Sequence, residues 1–327
     1  MASTKKSIPP FSDLPLNEND PPNSAWGLWS QILGEDAALG SLNYLTQRHV
    51  LDAARQEIQT GERISLESSL PLDFFDPPLL GRTGLKQELV DKAPLTVNDD
   101  IISFNTQSSS QWDSFRHFAY QKEKMFYNGI TQEQIHSVSG SNVNSLQPWS
   151  KQGLAGRGIL VDYAAFAHRR GIEVQHFTPH GITLEDIKTI LQEQATEPRV
   201  GDVLFLRTGY VGAYRHLNEA RRKEIASVRE WCGLAQGPDT TSWLWTRQFA
   251  AVVSDSPGFE VRPPTDPKWH LHPILLAGWG TPIGELFDLD GLAEICERLK
   301  RWSFFFTSAP LNYTGAVASP PNAIALF

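Results

Sequence analysis

The spacing of apolar and polar positions divides the chain into alternating elements. Residues 42–60 (LNYLTQRHVLDAARQEIQT) repeat at helical period, with Thr46 placed to cap the start and Gly61 to close the end. Residues 63–72 (RISLESSLPL) alternate like a strand with one buried face, and 101–104 form a short, mostly apolar run. Residues 158–165 (GILVDYAA) predict a buried strand. Thr183, with Asp186 three residues on, makes an approximate capping box before the helical IKTILQEQ. A turn at Gly201-Asp202 leads into VLFLRTGY, a second buried strand. Residues 216–235 are polar and helical, 249–253 (FAAVV) predict a further strand, and 303–308 (SFFFTS) another. Between the last two, 289–302 carry the stripe Leu292, Ile295, Leu299 and Trp302 of an amphipathic helix.

Strands alternating with helices favour an α/β layered fold. No internal repeat or change of composition marks a linker, so the expectation is one domain over 24–327, after a flexible, Pro-rich arm at 1–23. The 327 residues are 40% hydrophobic and 20% charged, enough for a sizeable core. The net charge of −8 comes with no basic block, because RRK at 221–223 lies in a mixed-charge stretch, and this speaks against a nucleic-acid partner. Cys232 and Cys296 are too few for a disulfide framework or a thiolate zinc knot. No apolar run reaches signal-peptide length or the ~18 residues of a membrane span, so a cytoplasmic protein with no membrane partner is expected.

The densest polar cluster in an apolar setting is Gln107-Ser-Ser-Ser-Gln111-Trp112-Asp113-Ser-Phe-Arg-His117. In extended chain, residues two or four apart point to one side, so Gln107, Gln111, Asp113 and His117 can converge. An anionic oxygen and an imidazole suit a divalent ion such as zinc or manganese; without metal they make a carboxylate-oriented base. The plain alternative is a surface loop whose Asp and His cap turns. Trp112 is a candidate wall for an aromatic substrate. Downstream, His270 and His272 stand two apart, as on one side of a strand, and Glu285 follows an apolar, Gly-bounded stretch where an unpaired carboxylate would be costly. Metal ligation, a buried hydrogen bond or an exposed turn would each explain Glu285, and an ordinary core-edge imidazole would explain His270. Arg207 reads equally as a structural ion pair or a substrate contact. Glu260 reads as a group that orients a ligand or as a surface salt bridge.

A string of segments in order resembles the metal-dependent cyclase family that includes kynurenine formamidases and isatin hydrolases. It comprises AWGLW, GSLNYLT, QWDSFRHFAY, YNGIT, GRGILVDYA, GITLEDI, VGDVLFLRTGY, AVVSDSPGFEVRP, LHPILLAGWGTPIGELFDLDGLAE and FTSAPLNYTGAVASPPNAIA, and covers 26–327. The resemblance implies a kynurenine formamidase-like swivelling β/β/α domain with a mixed sheet core, assembled as a homodimer or larger. It also implies one divalent ion, zinc or manganese, on Asp113, His117, His272 and Glu285, with His117 and His272 as the catalytic imidazoles. The family's His-x-Gly-Thr-His-x-Asp-x-x-x-His run departs here: its first two imidazoles fall on Gln107 and Gln111, amides that are weaker metal donors and that, with Trp112, are expected to meet substrate. The implied activity is hydrolysis of an amide, formamide or lactam C–N bond, or a related C–O bond, in a small molecule. The alternatives are a non-hydrolytic lyase, dehydratase or cyclase, and an inactive ligand-binding member.

Overall fold

The longest apolar runs become the middle of one mixed sheet. A computed structural model describes residues 7–137 and 140–327. Its strands are β1 (Arg63–Ser65), β2 (Lys86–Asp91), β3 (Asn98–Ser103), β4 (Gln111–Asp113), β5 (Leu154–Asp162), β6 (Gly181–Ile182), β7 (Val203–Arg207), β8 (Gly233–Leu234), β9 (Ala251–Ser254), β10 (Ile283–Glu285), β11 (Ser303–Ser308), β12 (Ala318–Ser319) and β13 (Ala323–Leu326). The large sheet has the order β1-β13-β11-β5-β7-β9-β10-β4-β12. Its centre, β5, β7, β9 and β10, is parallel. Antiparallel strands extend it on both sides. Central parallel strands are covered on both faces, which is why VLFL of β7 and AVV of β9 are buried, continuous apolar runs.

Several predicted elements form with the expected caps. The helix Gln47–Glu57 starts where the Thr46 hydroxyl accepts the His49 amide at 3.3 Å, and lies across β5 and β11. The Thr183–Asp186 capping box is complete and opens the helix Leu184–Glu193. The helix Asp290–Leu299 buries Leu292, with Ile295, Leu299 and Trp302 packed against the core. Other elements differ. Only Arg63–Ser65 of 63–72 pairs as a strand, because the chain then turns to bury Leu66 and Leu70. The run 101–104 falls largely in the β2–β3 hairpin, exposed along its length, so its apolar residues face outward. Of 216–235 only Glu219–Ile225 is helical; Trp231 then bridges to Arg262 and β8 follows. β5 ends at Asp162, whose carboxylate accepts the Ala165 amide at 3.0 Å and starts the helix Tyr163–Arg169 in the middle of the predicted strand.

Of the segment expected to be a flexible arm, residues 1–6 lie outside the described residues and the rest is docked from Ile8 onward: Phe11 meets Trp279 edge-on, Trp245 Nε1 donates to the Pro9 carbonyl at 2.8 Å, and the Tyr120 hydroxyl donates to the Pro22 carbonyl at 3.1 Å. On β5, Arg157 lies buried between Glu57 at 2.9 Å and Asp202 at 2.7 Å, locking a helix and a turn to the sheet.

Candidate active site

The pairing of β4 with β10 sets the site. Glu285 lies opposite Gln111, Gly284 opposite Trp112 and Ile283 opposite Asp113. Strand alternation turns Gln111 and Asp113 to one face and Trp112 to the other. Gly284 leaves room for the indole, since a Cβ there would come within 3.1 Å of Trp112. Trp112 is therefore a core residue, packed against Phe287 and Phe306 with Nε1 donating to Ser308 Oγ at 3.0 Å, and it lines no part of the cleft. That corrects its expected place in a substrate wall.

The cluster's other members do converge. Gln111 Nε2 donates to Glu285 Oε2 at 2.6 Å. Gln107 Nε2 donates to Asp113 Oδ1 at 2.6 Å and lies 3.0 and 3.2 Å from the two ring nitrogens of His117. His117 stands in the turn after β4, with Nε2 3.6 Å from Asp113 Oδ2. Neither glutamine lines the cleft; both amides face site carboxylates instead of the space a substrate would enter.

His270 and His272 are not on a strand. Pro267 and Pro273 cannot donate to a ladder, and the chain forms a 3-10 turn (Pro267–Trp269) followed by a short π-helix (Pro273–Trp279). Glu260 gathers this turn. Its buried carboxylate accepts the amides of Leu271 and of His272, the latter at 2.8 Å, and His272 Nδ1 at 2.6 Å. His270 Nε2 lies 3.4 Å away. The other ring nitrogen of His272 meets Glu285 Oε1 at 2.9 Å. Glu260 is thus a clamp within the site and not a surface ion pair. Arg207, by contrast, is held by Asp162 and Asp290, each at 2.9 Å, and has a structural role.

Burial and charge drive the ionisable groups apart. Burial, then the charge of Glu285, lifts Asp113 to about 8. Burial, then His272, holds His117 down to about 3, and burial holds His270 to about 4. For His272 burial opposes the charge, but hydrogen bonds to Glu260 and Glu285 outweigh it and raise the imidazole to about 10. Glu260 stays below the usual carboxylate range despite burial because it bonds to His272. His272 is the cation among three buried carboxylates, Asp113, Glu260 and Glu285.

The residues fit a divalent ion. Asp113, His272 and Glu285 each offer one ligand atom within 4.8 Å of the others, and Glu260, His270 and His272 form a second such group. Asp113 Oδ2 and Gln111 Oε1 are buried with no hydrogen-bond partner, as oxygens that await a cation are. A cleft of about 190 Å³ opens on His117, His272, Glu260 and Glu285, with Phe118 and Trp231 as aromatic lining. Sequence reading missed these two aromatics; Phe118 adjoins the motif, but Trp231 was hidden in a stretch that reads as helix.

A mixed α/β sheet thus carries a buried carboxylate–imidazole cluster at a small cleft, with Asp113 and Glu285 on paired strands and the imidazoles on the adjoining turns. Residues 39–261 match the family model for cyclases, and the chain belongs to the cyclase family. A solved structure described as a novel cyclase is 30% identical, covering 89% of this chain and 97% of that chain, with a TM-score of 0.78. Isatin hydrolase A from Labrenzia aggregata, bound to benzyl benzoate, is 16% identical over 87% of this chain and 98% of that chain, with a TM-score of 0.55. Isatin hydrolase A from Ralstonia solanacearum is 14% identical over 86% and 97%, with a TM-score of 0.52. The last two share the fold. No curated protein matches the chain.

Proposed function

We propose that this protein is a hydrolase that cleaves an amide, formamide or lactam C–N bond, or a related C–O bond, of a small aromatic metabolite, assisted by one zinc or manganese ion. The observation that carries this reading is the buried Asp113–His272–Glu285 group, with Asp113 Oδ2 unpartnered, beside an aromatic-lined cleft. An ion held by these three residues, with His117 and Gln111 Oε1 beside it, would polarise a carbonyl and acidify water. The remaining roles belong to the chain. Glu260 fixes the ring and tautomer of His272 by holding Nδ1, so that Nε2 is presented to Glu285. His117 is kept neutral by burial, so a ring nitrogen can accept a hydrogen bond from an attacking water and orient it. Phe118 and Trp231 hold a planar substrate and exclude bulk water.

One observation favours a second reading, a metal-free lyase, dehydratase or cyclase. His272 itself supplies a buried positive charge among the carboxylates and holds a proton that it can donate. Metal content separates the two. Hydrolysis predicts about one zinc or manganese per chain by elemental analysis, with Asp113→Asn and His272→Ala losing both the ion and about 100-fold or more of turnover on a panel of anilides, formanilides and lactams. Gln111→His should raise zinc affinity about tenfold by restoring an imidazole. A protein that purifies without metal and is not stabilised by added zinc or manganese would transfer the case to the acid–base reading.

The proposal extends to assembly and location. The β2–β3 hairpin exposes Leu89, Ile101 and Ile102, at 73%, 59% and 50% of their surface, and a second copy of the chain would cover it in a homodimer. Both cysteines are free and buried, and no helix among the described residues is long and apolar enough to cross a membrane, in keeping with a cytoplasmic enzyme.

A further inference from the structure

Three arginines line the same cleft as the carboxylate–imidazole cluster: Arg82, Arg229 and Arg262. They arrive on separate segments that are tied together. Arg82 follows the turn Leu79–Gly81, and its Nη1 donates to the Gln107 carbonyl at 2.6 Å. The Leu80 amide in that turn donates to the Ala226 carbonyl at 2.8 Å, joining it to the segment that carries Arg229. Arg229 precedes Trp231 by two residues in extended chain, so both side chains reach the cleft. Trp231 and Arg262 exchange backbone hydrogen bonds of 3.2 and 3.1 Å, and the Arg262 guanidinium lies over the indole, 5.7 Å from its centre.

None of the three makes an ion pair among the described residues. Elsewhere Arg157, Arg207, Arg215 and Arg301 each meet a carboxylate. In a chain with 37 acidic and 29 basic residues, carboxylates are not scarce, and two of them line this cleft, yet these guanidinium groups pair with none. Like charges held together repel unless an anion arrives. The lining of the cleft therefore carries both signs of charge, Glu260 and Glu285 together with the three arginines.

We infer that Arg82, Arg229 and Arg262 form an anion-recognition site, so that the substrate is a small carboxylic acid whose carboxylate meets the guanidinium groups while its scissile carbonyl lies at His272 and Glu285. This rests on the hydrolase reading for the second half of the sentence and on the cleft alone for the first. Guanidinium groups bind carboxylates through paired, charge-assisted hydrogen bonds. Glu260 and Glu285 repel the same group, so the cleft binds such an acid in one orientation. A neutral analogue forfeits both effects.

Benzoate and benzamide share a ring and differ in charge, and calorimetric titration of each into the full-length protein tests the inference. Benzoate is expected to bind roughly tenfold or more tightly than benzamide, the worth of one charge-assisted contact. The preference should shrink as salt rises from about 50 to about 500 mM. It should disappear in the double variant Arg229→Ala/Arg262→Ala and survive in Arg229→Lys/Arg262→Lys, which keeps the charge and also serves if the alanine form does not fold. Equal affinity, no benzoate binding, or a preference untouched by the alanine substitutions would overturn the inference; in the last case the carboxylate binds at the Asp113–His272–Glu285 cluster instead. Because binding is read and not turnover, a protein that selects benzoate but hydrolyses no amide, ester or lactam keeps the anion site and loses the hydrolase reading.

Discussion

Glu260 and His272 show how single residues set the chemistry of the cluster. His272 is charged because two carboxylates hold its ring, and His117 and His270 are neutral because burial is not offset. In the metal-free protein these shifts have opposite signs against an ordinary imidazole near ~6.5. His272 is raised in the folded state, so its contribution to stability is complete below ~6.5 and is lost as pH climbs toward about 10. His117 and His270 are lowered, so theirs is present above ~6.5 and lost as pH falls toward about 3 and about 4. Asp113 is raised to about 8, so its contribution is complete below ~4 and is lost as pH rises from there toward about 8. Above ~6.5 His272 and Asp113 act together, so urea unfolding after chelation should find stability falling as pH rises from there. Glu260→Gln removes the largest support of the His272 charge and should draw the alkaline limb to lower pH while leaving the acid limb in place. An unchanged alkaline limb would show that Glu260 does not set the charge of His272.

At the level of elements, β5 is fastened by charge as well as by apolar packing. Arg157 bridges Glu57 of the first helix and Asp202 before β7, and Asp202 is still pushed by burial up to about 6. Arg157→Ala leaves Asp202 buried without its cationic partner and should cost about 3 kcal/mol, read from the urea midpoint. A loss below about 1 kcal/mol would mean that water reaches the pair and the network contributes little. Elements with strong internal patterns were legible from sequence: the capped helix Leu184–Glu193, the amphipathic helix Asp290–Leu299, and the buried strands β7 and β11. Elements whose fate depends on a distant partner were not. The hairpin β2–β3 carries the apolar run at 101–104, yet it stays exposed along its length among the described residues.

For the whole molecule, that hairpin is the best guide to assembly. A two-stranded ribbon exposed on both faces is marginal alone, so cover from a second copy would stabilise it. Sedimentation should find a dimer of the 36.5 kDa chain, and Ile101→Lys with Ile102→Lys should shift it to the monomer and speed amide exchange in 86–103. A wild-type protein that sediments as a monomer would remove the homodimer from the proposal.

The α/β class, the central strands and the identity of the polar cluster were determined by the sequence itself, because burial on both faces of a sheet and helix capping leave local patterns. Of the run Gln107 to His117, alternation aligns Gln111 with Asp113, while Gln107 and His117 reach the cluster through turns on either side of β4. The tertiary structure decided the rest. It sent Trp112 into the core by the same alternation, put Gly284 opposite it, and brought Glu260, His272 and Glu285 from far along the chain to complete the cluster. It also placed Arg82, Arg229 and Arg262 on one cleft. Such contacts depend on the order of strands and the paths of loops, which no local periodicity encodes.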